Sequence, residues 1–187
     1  MSIIKEMSPR LSAPLTLEYV LLGLLDRQPM HGYDLFKEIT THEEIALVWS
    51  IKQSQLYALL DKLEERGLLV SALIPGETYP DRKEFRPTPE GHKAFLNWMQ
   101  SPVHHGRDMR QEFLARLYFA IQIGKDYASE LLRQQRQVCL SWQSRLKRQS
   151  QALENQDQYA RFIFNYRMGQ INAMLEWLEM CEKELVA

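Results

Sequence analysis

Apolar residues near the start of the chain recur every three to four positions in three successive stretches. This spacing places them on one face of an α-helix and leaves polar residues on the opposite face. The pattern predicts helices over residues 15–26, from just after Gly32 to about Thr40 or Thr41, and over residues 51–66. The buried face of the third predicted helix consists of Leu56, Leu59, Leu60 and Leu63.

The third helix has sequence signals at both ends. Ser50 and Gln53 have the spacing of a capping box, in which the serine side chain bonds the amide of Gln53 and the glutamine side chain reaches back to Ser50. Gly67 follows the last apolar position and suits the left-handed conformation that ends many helices. We therefore expect this helix to begin just after Ser50 and to end before Gly67.

A β-hairpin is predicted next. Residues 68–74 are short, apolar and bounded by Pro75 and Gly76, and residues 83–86 follow a turn-rich tip at 77–81. Thr88 is then a suitable N-cap, and Pro89 is tolerated at the first position of a helix. Three helices, a hairpin and a further helix in this order are typical of a winged helix-turn-helix.

Proline divides the chain into two parts, because all eight prolines lie at or before Pro102. The rest of the chain is free to form long helices, predicted over residues 108–123, from 127 to about 154, and over 158–185. The fold class is therefore mainly α with a small β-wing. We expect a DNA-binding domain over residues 1–102 and a helical dimerisation domain over residues 103–187.

The last predicted helix has two apolar stripes, one from Tyr159 to Trp177 and one from Ile171 to Leu185. Two such faces suggest that one packs within the chain and the other against a second copy. We therefore predict a homodimer. Its expected contact residues are Trp142, Leu146, Phe162, Tyr166, Ile171, Met174 and Leu178.

Aromatic residues of the same two helices suggest a pocket for a small-molecule effector. Its expected lining includes Trp142, Phe162, Tyr166 and Trp177. A stripe of aromatic and methionine side chains is also typical of a hydrophobic core or a dimer seam, so both alternatives stay open.

Composition excludes several classes of protein. The chain has 187 residues, 45% of them hydrophobic and 25% charged, as in ordinary globular proteins. No apolar run approaches the ~20 residues that span a bilayer, and no secretory signal precedes the first helix. Two cysteines are too few for a disulfide framework. We expect a cytoplasmic protein.

The net charge of −1 gives no sign of nucleic-acid binding, so any DNA-binding surface must be a local patch. With its leucines turned inward, the third helix presents Ser54, Tyr57 and Asp61 outward, with Gln55 and Lys62 at the flanks. Polar side chains of this kind can bond base edges or phosphates. The predicted wing adds three cations, Arg82, Lys83 and Arg86.

Three successive segments resemble the PadR family of bacterial transcriptional regulators: LLGLLDRQPMHGYDL, LYALLDKLEERGLL and PDRKEFRPTPEGHKAFLNWM. They occur in the order found in that family and cover roughly residues 15–100. The segment RQEFLARL, followed by two long helices, resembles the branch with a virulence-activator C-terminal domain.

The resemblance implies a winged-helix dimer that represses transcription from a pseudo-palindromic operator on double-stranded DNA, in some members under control of an effector. It implies that Tyr19 and Tyr33 approach the DNA backbone or brace the motif. It also implies that Lys62 lies near phosphate and that Arg82, Lys83 and Arg86 lie on the wing. The side chains that it places in the groove are Gln53, Ser54, Gln55 and Tyr57.

The sequence contains no pattern that indicates catalysis, a cofactor or a metal site. Nucleophile elbows, phosphate-binding glycine loops and HExxH motifs are missing from it, and the spacing of His104 and His105 from the two cysteines fits no zinc motif. We expect a protein that is not an enzyme. The alternative to a DNA-binding regulator is a helical adaptor that uses the winged-helix scaffold to bind another protein.

Overall fold

Buried leucines and isoleucines on α1, α2 and α4 form the core of the N-terminal region in the computed structural model. The structure describes residues 16–41, 43–75, 82–151 and 158–186. The elements of the N-terminal region are α1 (Thr16–Arg27), β1 (Met30–His31), α2 (Gly32–Thr41), α3 (Glu43–Ala46), α4 (Gln53–Glu65), β2 (Leu69–Ile74), β3 (Arg82–Pro87) and α5 (Pro89–Met99). Those of the C-terminal region are a short 3-10 helix (Gly106–Arg110), α6 (Glu112–Ile123), α7 (Lys125–Gln151) and α8 (Gln158–Val186).

The strands form one antiparallel sheet in the order β1-β3-β2. The predicted hairpin is confirmed, and the structure pairs its strands with Ile74 opposite Arg82 and Leu69 opposite Pro87. Strand β1 was not predicted, because two residues give no periodicity, and it is held by pairing Met30 with Phe85. The predicted tip at 77–81 lies outside the described residues. The mainly α fold class with a small β-wing is confirmed.

The predicted capping box at the start of α4 is wrong. Helix α4 begins at Gln53, its N-cap is Lys52 in an extended conformation, and no side chain caps it. Ile51 is almost fully buried, so the chain before the helix is fixed by the core instead of by a cap at Ser50. The helix therefore starts two residues later than expected.

The predicted end of α4 is confirmed. Gly67 has a φ of 69°, its amide bonds the carbonyl of Glu64, and the amide of Leu68 bonds the carbonyl of Leu63. These two bonds form a Schellman motif. Thr88 is also confirmed as the N-cap of α5, where its hydroxyl accepts a hydrogen bond from the amide of Gly91 at 3.0 Å.

The C-terminal region differs from the prediction at its start. The helix expected over residues 108–123 is divided at Gln111 into the 3-10 helix and α6, and Met109 of the 3-10 helix is buried. The long pair α7 and α8 is confirmed, although residues 152–154 of the predicted α7 lie outside the described residues.

The hydrophobic core continues from the N-terminal region into the C-terminal region. Trp98 of α5 stacks on Tyr19 with ring centroids 5.1 Å apart and meets the edge of Phe119 from α6. Beyond it, the buried side chain of Gln135 bonds both the amide and the carbonyl of Val103. The segment that joins the regions is thus held on both sides, and the boundary at residue 102 stays a prediction.

Within the described residues, none of the helices combines the length and the apolar character needed to cross a membrane.

Candidate DNA-binding surface

Helix α4 has a buried face and an exposed polar edge. The four leucines predicted to face inward are buried. Gln53, Ser54, Gln55 and Tyr57, which were predicted to face the groove, are all exposed. Because the first turn lies free of the core, its polar side chains are available to a partner.

The N-terminus of α4 adds an electrostatic contribution to this edge. The first N–H groups of a helix lack intrahelical partners, and the helix dipole makes this end attractive to anions. Because no side chain caps α4, these groups are not screened by a capping oxygen. A phosphate group fits such an end.

Tyr57 lies against the backbone of Gly32, at the start of α2. A methyl group built on Gly32 would come within 2.7 Å of the Tyr57 ring. The glycine therefore allows the ring to approach the neighbouring helix closely, while Tyr57 remains 38% exposed. Sequence reasoning did not identify this dependence of Tyr57 on Gly32.

A hollow of about 620 Å³ separates α4 from the wing. On the helix side it is lined by Tyr57 and Asp61, and on the wing side by Arg82 and Lys83. Its remaining lining comes from β1, the start of α2 and the buried Phe85: His31, Gly32, Tyr33, Asp34 and Phe85.

The three predicted wing cations do not form one cluster. Side chains alternate along a strand, so Arg82 and Arg86 belong to one face of β3 and Lys83 to the other. Arg82, close to the tip, also lines the hollow, whereas Arg86 does not. The structure therefore brings Arg82 and Lys83 to the hollow and leaves Arg86 exposed elsewhere on the wing.

Carboxylates partly offset the charge on the hollow. The Nζ of Lys83 is 3.6 Å from Glu64, which also accepts a hydrogen bond of 2.5 Å from the hydroxyl of Ser71. The hydrogen bond from Ser71, together with the nearby charge of Lys83, holds the pKa of Glu64 below its ordinary value. Glu64 is therefore ionised at neutral pH and competes for Lys83.

Lys62 has a different environment from the one predicted. Its Nζ is 2.6 Å from Glu18, and the guanidinium of Arg66 is also 2.6 Å from the same carboxylate. Glu18 is only 1% exposed. Within the protein Lys62 therefore joins α4 to α1, and its expected phosphate contact stays a prediction. Sequence reasoning missed Glu18 because one polar position on an apolar helix face gives no periodic signal.

Tyr19 and Tyr33 lie in different environments. Tyr33 is exposed and lines the hollow, whereas Tyr19 stacks on Trp98 in the partly buried joint between the regions. The structure therefore supports a bracing position for Tyr19 and a surface position for Tyr33.

The residues predicted for dimerisation also separate. Leu146 and Leu178 are buried within one chain. Trp142 of α7, and Ile171 and Met174 of α8, are partly buried. Only Phe162 and Tyr166 are largely exposed, at 58% and 68%. Leu146 and Leu178 therefore have almost no side-chain surface to offer a second copy.

The four residues predicted to line one effector pocket do not come together. Phe162 and Trp177 are separated by about 22 Å along α8, at 1.5 Å per residue. Trp177 meets the edge of Phe113 in the core, whereas Phe162 and Tyr166 are exposed. Trp142 lines a cavity together with Leu146, Ile171 and Met174, which were predicted as dimer contacts.

Comparisons with known proteins identify both regions. Residues 21–97 match the model of the transcriptional regulator PadR-like family, and residues 109–186 match the model of the virulence activator alpha C-terminal domain. The negative transcriptional regulator PadR of Bacillus subtilis is 27% identical over 147 residues, which are 79% of this chain and 75% of the relative.

The solved structures that match this chain include Bacillus subtilis PadR in complex with operator DNA. That match has 23% identity, covers 92% of this chain and 99% of the other, and has a TM-score of 0.47. A PadR family regulator from Eggerthella lenta is 33% identical, with 44% of this chain and 67% of the other covered, at a TM-score of 0.39. On the two family models, which together match most of its length, the chain belongs to the PadR-like family of transcriptional regulators.

Proposed function

We propose that this protein binds operator DNA as a homodimer and represses transcription of the genes beside that operator. The proposal rests on one hollow that is lined both by Tyr57, from the exposed polar edge of α4, and by the two wing cations Arg82 and Lys83. Gln53, Ser54 and Gln55 lie exposed on the turn of α4 just before Tyr57. Repression, rather than activation, is supported by the Bacillus subtilis relative, whose name describes a negative regulator.

In this proposal the first turn of α4 enters the major groove. Gln53, Ser54 and Gln55 bond base edges, since amide and hydroxyl groups can match the donor and acceptor pattern there. Tyr57 follows one turn later and makes apolar contact with the groove wall. The free end of the helix and the two wing cations contact phosphates, which contributes affinity without reading the sequence.

Dimerisation rests on the first half of α8. The exposed stripe contains Tyr159, Phe162, Ile163 and Tyr166, and apolar clusters of this kind on a surface mark sites of association. A two-fold dimer places two copies of α4 about one or two helical turns of DNA apart, roughly 34 Å or a multiple, so the operator is a pseudo-palindrome. The role is binding rather than catalysis, and it is performed in the cytoplasm, where bacterial DNA lies.

The experiment for this function is selection of bound duplexes from a random pool by the purified full-length protein. We expect an enriched pseudo-palindrome whose half-sites are separated by about 10 base pairs or a multiple of that. Enrichment of a single unpaired half-site would contradict binding as a dimer. Recovery of no preferred sequence would contradict specific DNA recognition and would favour the adaptor.

A companion measurement tests the dimer surface. Light scattering of the wild type is expected to give twice the chain mass of 22.1 kDa, and the double change Phe162→Glu with Tyr166→Glu is expected to give the single mass. Arg161→Glu, an exposed residue on the same part of α8, is the matched control and should leave the mass at twice that of the chain.

A further inference from the structure

A cleft of about 710 Å³ lies in the C-terminal region, away from the proposed DNA-binding hollow. It has three walls. The segment from His104 to Arg110 forms the first, and one face each of α7 and α8 forms the other two. On α7 the lining positions are Trp142, Arg145, Leu146 and Gln149, and on α8 they are Arg167, Gln170, Ile171 and Met174.

The lining positions on each helix follow the three-and-four spacing of a single helical face. The distance between the helices is held beside the cleft by a 2.8 Å hydrogen bond from the amide of Gln143 to Asn172. The buried Leu146 and the partly buried Trp142 form an apolar floor. The cleft is therefore a formed feature of the fold and not a gap between loose side chains.

The charge around this floor is entirely positive. Four arginines line the cleft, Arg107, Arg110, Arg145 and Arg167, and no carboxylate is part of its described lining. Arg107 has Asp108 at 3.6 Å. Arg110, Arg145 and Arg167 form no ion pair or hydrogen bond with any of the described residues. Like charges that converge without counterions repel one another, so an anion in the cleft would be bound favourably.

We propose that this cleft binds an organic polyanion, a ligand with two or more negative charges beside a flat apolar group. Arginine forks bind phosphate or carboxylate groups by paired hydrogen bonds, and three unpaired arginines call for more than one such group. The indole of Trp142 and the side chains of Ile171 and Met174 offer contact for the apolar group.

The position of the cleft connects it to the DNA-binding helix. Arg107 and Arg110 belong to the 3-10 helix, and the next residue, Gln111, donates a hydrogen bond of 3.4 Å from its side chain to the carbonyl of Val48. Val48 lies in the segment that leads into α4. A ligand that draws the two arginines toward α7 and α8 would act on this contact. Resting on the proposed function, the inference is that the ligand regulates DNA affinity through the 3-10 helix.

Calorimetric titration of the full-length protein tests the ligand class, with ATP as the probe in the absence of metal. Adenosine supplies the flat group without charge, sodium triphosphate supplies several charges without the flat group, and benzoate supplies a flat group with a single charge. We expect ATP to bind at least about tenfold more tightly than any of the other three, because only ATP combines a flat group with several negative charges. Equal affinity for ATP and triphosphate would overturn the proposed contact with a flat apolar group. No heat of binding with either compound would overturn the cleft as an anion site.

Matched arginine variants locate the binding. Arg145→Gln and Arg167→Gln are each expected to weaken ATP binding by about fivefold or more. Arg148→Gln on α7 and Arg161→Gln on α8 are exposed but do not line the cleft, and they should change the affinity by less than about twofold. Equal losses in all four variants would show attraction by net charge alone and would overturn the cleft as the site.

Two further readouts distinguish other occupants. If Arg145→Gln and Arg167→Gln lower the mass in light scattering, the cleft holds a second copy, and if they lower DNA affinity without ligand, it holds DNA. Either result would overturn the proposal.

The regulatory step is tested with Gln111→Ala. This variant should bind ATP as the wild type does, but the change of about threefold or more that we expect ATP to cause in DNA affinity should be lost. An unchanged ATP effect in this variant, or no ATP effect in the wild type, would overturn regulation through the 3-10 helix. Because calorimetry requires no DNA, failure of the proposed DNA binding would leave the test of the cleft intact.

Discussion

The hollow beside α4 and the cleft between α7 and α8 both contain cations, but among the described residues carboxylates line only the first. In the N-terminal region, Glu18 holds Lys62 and Arg66, and Glu64 lies near Lys83. In the C-terminal cleft, described carboxylates are absent from the lining. The number of cations in a region therefore does not identify those available to a ligand, since carboxylates within the chain can already pair with them.

Removing Glu18 should have the largest effect. Glu18→Ala takes away the buried carboxylate that joins α1 to α4, and we expect a loss of about 2 kcal/mol in the free energy of unfolding. The melting temperature should then fall by about 4 to 8 °C. DNA affinity should fall by about tenfold, because α4 is no longer held to α1. Glu18→Gln keeps one hydrogen bond and should recover part of the melting temperature and part of the DNA affinity. If melting falls while DNA affinity stays at the wild-type value, Glu18 stabilises the fold without positioning α4.

Enlarging Gly32 should have the next largest effect. In Gly32→Ala the new methyl group displaces the Tyr57 ring, so we expect DNA affinity to fall by about fivefold while stability falls by no more than about 1 kcal/mol. Chemical denaturation and fluorescence anisotropy check the two quantities. Recovery of the affinity in the double variant with Tyr57→Ala would contradict a direct role for the tyrosine.

Replacing the wing cations should change DNA affinity by amounts that depend on their position. Arg82→Ala and Lys83→Ala each remove a cation at the hollow, so each should weaken binding to all sequences and reduce the slope of log affinity against log salt by about one. Arg86→Ala removes a cation from elsewhere on the wing and should cause a smaller change. Equal effects at all three positions would show that the hollow does not set their contributions.

Neutralising Glu64 should have the smallest effect, and it should be favourable. Glu64→Gln frees Lys83, so we expect DNA affinity to rise by about twofold at neutral pH. The folded-state pKa of Glu64 is lowered, so its contribution to stability is present above its unfolded pKa and is lost as pH falls through the folded value. The advantage of the variant over the wild type should shrink over the same range. A variant that binds less tightly than wild type would contradict the competition for Lys83.

Periodic features of this chain could be predicted from sequence, whereas single contacts could not. The longer helices were predicted because their apolar residues repeat, whereas α3, with four residues, was not. Gly67 and Thr88 were predicted because they end or begin a helix by local chemistry. The predicted start of α4 was wrong because the burial of Ile51 determines where the helix begins. Burial depends on residues that are distant in the chain.

The candidate sites follow the same division. The exposed residues of α4 came from its helical periodicity, but the partner of Lys62 lies on another helix, 44 positions away. The arginines of the C-terminal cleft come from the 3-10 helix, α7 and α8, so only the folded chain brings them to one cavity. Residues from separate elements leave no common signal in the sequence.

Fluorescence anisotropy can show whether the α4 edge and the wing read DNA. The protein is titrated onto the duplex from upstream of its own gene and onto a shuffled duplex at several salt concentrations. We expect tight binding to the natural duplex alone, with log affinity falling by about 6 to 10 per log unit of salt, as for a dimer with that many phosphate contacts. No binding to either duplex at low salt would contradict direct recognition of DNA by this protein.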